Sequence, residues 1–376
     1  ESVISGALLV RVSLVSTIDE FIHLGVQLCF GILQVVLSLI PPAIGRVLSI
    51  VGFKGDRDVG LSMLWRTAIT LRNIHGELAL LVILVFYDGP VQFVDLAYQL
   101  PGNEDENVKD VIVLEGKTTV TEAELQQILK NPLLYTPQLT QRARRHFPNN
   151  ALWLLQECRQ QAALGDVAGA VDAMQRFTDD PSTEIRMQQI RALLVFDRAM
   201  YYAFSHENEK AATDFILLID LNSWSKGLYL FMAGCCYHLQ MCILKMEGAA
   251  ETEVKRFADL AEKYMKLAPT YVPGHASNVK NRKGGIGGAN KQMPFDKFLL
   301  RKLGHIEQRE KKTGKPFVEC IGTLPILELV YFWNGFNRMS KEHLQLSLKL
   351  LGYLGEPGTP YALETKFSDL EESSDE

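Results

Sequence analysis

One spacing recurs between Ala151 and Pro273 and narrows the available folds sharply. It is a small residue, an aromatic three positions on, then Ala and a bulky apolar residue in the following helix. The clearest copy starts at Ala192 and uses Ala199, Tyr202, Ala211 and Phe215. The next starts at Gly227 with Gly234 and Tyr237. After an insertion it continues with Ala261, Met265, Ala268 and Pro273. The copy before starts at Ala151, turns at Gly165 and has Ala170 and Met174 in its second helix. The unit is a helix-turn-helix of about 34 residues. Two antiparallel helices approach closely only where small side chains meet, and large residues fill the gap to the next pair. No pair buries its apolar face alone, so the pairs must stack.

Several positions of the tetratricopeptide pattern match together, and strand signals are weak, with one brief β-like run at Asp110–Leu114. The expected fold is therefore all-α: a stacked helix-turn-helix, tetratricopeptide-like array with an apolar amino-terminal helical region. Residues 1–100 read as that apolar region with a degenerate repeat, and 101–120 as a polar loop. The array is expected over 121–356, interrupted by a Gly-, Asn- and Lys-rich loop at 275–292. Residues 357–376 read as an acidic, disordered tail.

The chain has 376 residues, 47% of them apolar, which suits a sizeable core and excludes global disorder. Its net charge of −5 is too small to suggest nucleic acid as a partner. Cys29, Cys158, Cys235, Cys236, Cys242 and Cys320 lie inside apolar patterns without disulfide-framework spacing, which points to a reducing compartment. The chain starts on Glu1 and not on Met, which reads as a fragment or as a trimmed gene model.

Ile18 to Ile40 is nearly all apolar, and no Lys or Arg occurs from Phe21 until Arg46. Phe21 to Ile40 is about the 20 residues that span a bilayer. A buried core helix is the favoured reading. His23, Gln27 and Gln34 interrupt the segment, Gly25 and Gly31 offer close-packing sites, and no basic cluster flanks it. Further on, Asp56 is placed to cap a helix holding Gly60 and Leu64. Ile74 to Tyr87 is another apolar helix, and Thr121-Glu122-Ala123-Glu124 opens one with capping character. Gln138 to His146 is a basic amphipathic helix whose Arg142, Arg144 and Arg145 read as a solvated face. Helices are expected again over Phe295–Lys311, Pro325–Met339 and Lys341–Leu354.

Chemistry is sparse. Cys235, His238 and Cys242 share one helix face, but a structural zinc draws four ligands from at least two elements, so no metal is expected. No H-E-x-x-H, G-x-S-x-G or phosphate-loop motif occurs. Neither a catalytic residue nor a cofactor is expected. The repeat register does select a concave face: Leu152, Leu155, Arg159 and Ala162; Leu193, Phe196, Met200 and Ala203; Leu228, Phe231, Cys235 and His238. That lining is mostly apolar, and an apolar groove does not stand empty in water. The expected occupant is an amphipathic or apolar helix from a partner protein, or this chain's own Phe21–Ile40.

Five stretches carry a wider likeness. They are FGILQVVLSLIPPAIGRVLSIVGFKGDRDVG from Phe30 to Gly60, NNALWLLQECRQQAALG from Asn149 to Gly165, and LNSWSK from Leu221 to Lys226. The others are Met293–Phe298 with Arg301-Lys302, and the aromatic run Tyr331–Phe336. In combination they resemble the tetratricopeptide repeat protein 39 family, and most closely its fungal inclusion-body clearance branch, from about residue 17 to 356. The resemblance implies a non-enzymatic helical-repeat adaptor, found in cytoplasm and nucleus. It would act in clearing protein inclusions after folding stress, with lipid-droplet proteins and misfolded or aggregated chains as partners. The alternatives are a membrane-associated scaffold, at the mitochondrial outer membrane or a lipid-droplet surface, and a lipid or sterol carrier.

Overall fold

A computed structural model describes residues 17–40, 44–45, 54–70, 73–88, 111–222, 224–273 and 293–354. The expected loop at 275–292, the acidic tail and residues 89–110 lie outside the described residues. Among the described residues there are fourteen α-helices and no strand. The β-like run at 111–114 is irregular. The chain divides into two compact units, residues 1–160 and 161–376.

The first unit opens with α1 (Thr17–Ser38), α2 (Arg57–Thr70) and α3 (Ile74–Asp88). It continues with α4 (Glu122–Lys130), α5 (Pro132–His146) and most of α6 (Ala151–Ala163). Leu64, Trp65, Ile69, Leu80, Ile83 and Tyr135 form its fully buried centre. The helix starts follow their caps. Asp56 Oδ1 accepts from the backbone N–H of Asp58 and Val59 at 3.1 Å each, ahead of α2. Thr121 and Glu124 close a reciprocal capping box on α4. The approach of α1 to α2 is backbone against backbone. A Cβ added at Gly60 would lie 2.8 Å from the Gly31 carbonyl oxygen, so only glycine fits this crossing.

Two expectations are corrected in this unit. The basic helix is not simply a solvated face. Arg142 is buried and donates through Nη2 to the Ala68 carbonyl at 2.6 Å, satisfying the carboxy-terminal end of α2. Arg144 pairs with Glu157 at 2.9 Å, and Arg145 with Glu115 at 2.9 Å. Nor is α1 a helix buried all round. Leu28, Gly31 and Val35 face α2, whereas the opposite side stays exposed.

The second unit holds α7 (Val167–Asp179), α8 (Gln188–Phe204), α9 (Asn208–Leu221) and α10 (Lys226–Glu247). They are followed by α11 (Glu251–Leu267), α12 (Pro294–Thr313), α13 (Pro325–Phe332) and α14 (Lys341–Leu354). Helices α8 to α11 pack in sequence, each against the next. Ala199, Tyr202, Ala211 and Phe215 are all buried where the repeat spacing requires it. The second small position is sterically strict, because a Cβ at Gly234 would meet Met265 Cγ at 2.6 Å and the Ala261 carbonyl at 3.1 Å. A buried ion pair locks α8 to α9. Arg198 donates to both carboxylate oxygens of Asp214, at 2.7 and 2.8 Å.

α10 is the axis of this unit. Helices α9, α11, α12, α13 and α14 all touch it. Among the described residues it is the one helix long and apolar enough to cross a membrane, and 94% of that apolar window is buried inside the protein. An apolar surface on every side of a helix marks a core element once neighbours enclose it. The apolar aromatic helix expected over 325–339 is shorter. It stops at Phe332, turns through Trp333 and Asn334, with Asn334 at φ 54°, and resumes as a 3-10 turn at Phe336–Arg338.

Candidate partner surface

The register residues do not form an open groove in the second unit. Met200, Leu228, Phe231, Cys235 and His238 are buried. The Phe231 ring meets the edge of Phe298 on α12 at 6.5 Å. Phe196 is half-buried among Phe215, Tyr229 and Trp333, at 6.3, 6.3 and 6.0 Å. Leu193 alone of this set stays exposed. The expected partner groove on α8 and α10 is therefore corrected: the chain's own α12, α13 and α14 cover it. The physical reason is the one that predicts a ligand, since an uncovered apolar face costs roughly 25 cal/mol per Å². Here the nearest source of apolar side chains lies downstream in the same chain. In the first unit, Leu155 is buried, and Leu152 and Arg159 are half-buried.

Burial also decides the chemistry of the cysteine and histidine cluster on α10. Desolvation raises the Cys235 and Cys236 thiols well above their ordinary range, brings Cys242 up to about 12, and pulls His238 down to about 4. Neutral thiols beside a neutral imidazole make an inert interior. Cys242 Sγ and His238 Nε2 are 3.9 Å apart. Among the described residues no three His, Cys, Asp or Glu side chains converge as a metal site.

What the covering helices expose is more informative. Phe295 stacks on Trp333 at 5.7 Å, and Phe332 meets both rings edge-on, at 5.8 and 5.0 Å. Trp333 in turn touches Phe196. Tyr331 is 69% exposed and Phe332 51% exposed. Ser225, at the start of α10, ties the preceding turn to the start of α12. Asn222 Oδ1 accepts the Trp224 backbone N–H at 2.9 Å, and Ser225 Oγ donates to Asp296 Oδ1 at 3.1 Å. Asp296 is itself buried and accepts from the Met293 backbone N–H at 3.0 Å, fixing the start of α12. Trp224 is left 65% exposed. Exposed Trp, Tyr and Phe on a rigid support are the residue types that anchor protein interfaces.

Reasoning from the sequence alone assigns Pro325–Met339 to one apolar, aromatic helix and so misses this ledge. The available signal is Asn334-Gly335, a turn dipeptide that ends α13 and leaves its last aromatics at the surface.

The described residues thus form a stacked α-helical repeat, with small residues at the crossings and an aromatic ledge built from the 293–298 and 331–336 stretches. The model of the Iml2/Tetratricopeptide repeat protein 39 family matches residues 9–356. The chain belongs to this family. Among relatives similar to this Iml2/Tetratricopeptide repeat protein 39 chain, the inclusion body clearance protein IML2 of Debaryomyces hansenii is 59% identical, covering 100% of this chain and 45% of the relative. That of Candida albicans is 60% identical, over 96% and 42%, and that of Kluyveromyces lactis is 41% identical, over 89% and 43%. The chain thus spans less than half the length of these relatives. No solved structure matches it.

Proposed function

We propose that this chain is the helical-repeat adaptor portion of a protein that acts in the clearance of protein inclusion bodies after folding stress. In this reading it is not an enzyme. It binds proteins, with lipid-droplet proteins and misfolded or aggregated chains as its partners, and works in the cytoplasm and nucleus. The observation that carries the reading is the aromatic ledge of Phe295, Tyr331, Phe332 and Trp333. The repeat face that would ordinarily serve a partner is filled from within, and this neighbouring surface exposes interface-type side chains. The names of the relatives support the clearance role.

The test replaces Tyr331 and Phe332 with Ser in the full-length protein, both being exposed end residues that leave the core intact. Clearance of a fluorescent aggregation reporter is followed after heat stress, and partners are captured by proximity labelling. Slowed clearance with loss of labelled partners, at unchanged protein level, is the expected result. Normal clearance and an unchanged partner set would overturn the assignment of this ledge.

A further inference from the structure

The outward face of α1 is the largest uncovered apolar feature among the described helices of the first unit. Ile22, Val26, Cys29, Leu33 and Val36 follow one another at steps of four, three, four and three, so they fall along one line of the helix. Ile22 is 58% exposed, Val26 60%, Leu33 42% and Val36 52%, and Cys29 is exposed as well. Phe21 and Phe30 flank the row and are also exposed. Diametrically opposite, Leu28, Gly31 and Val35 are buried against α2. The outward row is therefore not an accident of a frayed helix. It is the second apolar side of a helix whose first side is already packed.

Three properties of the row select its occupant. The 3.5-residue spacing sets the row along one line that fits the knobs of another helix, with Phe21 and Phe30 widening the apolar face on either side. A helix lying on a bilayer needs a broad apolar face bordered by Lys and Arg. Here no Lys or Arg occurs from Phe21 to Ile40, and Asp19 and Glu20 precede the row. A shallow groove lies on the same face, with Gly25 leaving room between Phe21 and Cys29 and His75 of α3 at its side. Finally, the row is centred on Cys29, with almost the same spacing in both directions. It is therefore complementary to itself when a copy runs antiparallel. Ile22 then meets the second copy's Val36, Val26 meets Leu33, and Cys29 meets Cys29. No charge lies on the row, so the pairing brings no like charges together.

We propose that the outward face of α1 is a homodimerisation surface, on which α1 of a second copy lies antiparallel about a two-fold axis beside Cys29. The exposed side chains offer roughly 500 Å² per copy, or about 1,000 Å² for the pair, the scale at which a specific interface begins. This inference is independent of the clearance role and of the aromatic ledge.

The experiment uses the full-length protein carrying two different tags, co-expressed in one cell. A short bismaleimide is added to the lysate before capture of the first tag. The expected product is a covalent band of twice the mass carrying both tags, absent for Cys29→Ser. Without crosslinker, Val26→Asp lowers co-capture of the second tag by about tenfold or more while leaving the helical circular dichroism signal unchanged. Co-capture that is absent in the wild type overturns the proposal. So does co-capture that survives Val26→Asp without any Cys29-dependent band. Retention of the wild type in alkali-washed membranes, with release by Val26→Asp, also overturns it and assigns the face to lipid.

Discussion

α1 and α10 are both 22-residue, largely apolar helices, and they end in opposite surroundings. α10 is enclosed by five neighbouring helices, so its Phe231, Ala233, Cys235 and Cys236 have no solvent contact. Among the described residues α1 meets α2 and α3 on one side only, and its other side is exposed. Hydropathy is therefore a poor guide to burial for such helices. What decides is how many later elements of the chain return to cover them. In the second unit α12, α13 and α14 return, and in the first unit the described elements cover a single face of α1.

The comparison can be broken most forcefully at Phe231. Phe231→Ala empties a fully enclosed site, and we expect a loss of about 3–5 kcal/mol in the unfolding free energy from urea titration. A loss below about 1 kcal/mol would mean that α10 is not the packed axis described here.

His238 sharpens the same point through pH. Its folded pKa of about 4 lies below the ordinary 6.5, so the folded state disfavours the protonated imidazole. The stability tied to a neutral His238 is complete above pH 6.5 and drains away as pH falls from there toward 4. The loss is about 3 kcal/mol. Burial shifts His206 in the same direction. Urea titrations at pH 7 and pH 4 should show a smaller difference in His238→Leu than in the wild type. An equal difference in both would contradict the enclosed position.

A smaller effect is expected on the covered side of α1. Gly60→Ala pushes a methyl group against the Gly31 backbone, for about 1–3 kcal/mol of destabilisation. Thermal unfolding of the variant would reveal it as a lowered midpoint, and an unchanged midpoint would show that the two helices do not meet there. The least effect belongs to the bare side. Phe30→Ala should change the unfolding free energy of the isolated monomer by no more than about 0.5 kcal/mol, against several for Phe231→Ala. Comparable losses at the two phenylalanines would remove the distinction between the helices.

Much of the local structure is legible in the sequence because its causes are local. Asp56 caps α2 through N–H groups two and three residues on. The capping box of Thr121 and Glu124 spans one turn. Lys341–Leu354 starts and ends as its periodicity implies. The crossings at Ala199 with Ala211, and at Gly234 with Ala261, follow from the spacing of small residues within one repeat. The expected solvated Arg142 fails because its partners, the Ala68 and Ile69 carbonyls, lie more than seventy residues upstream. The expected groove fails for a similar reason. Phe298 on α12 and Trp333 just after α13, which close it over Phe231 and Phe196, lie outside the repeats that build it.

The sequence by itself thus determined the helical class, the paired-helix repeat and the glycine crossings, since each is a steric or hydrogen-bonding rule acting over a few residues or one helix pair. Only the tertiary structure decided which apolar faces are filled and which remain open. Burial is set by whatever distant segment reaches a face first with complementary shape, and apolar attraction carries no label naming that segment.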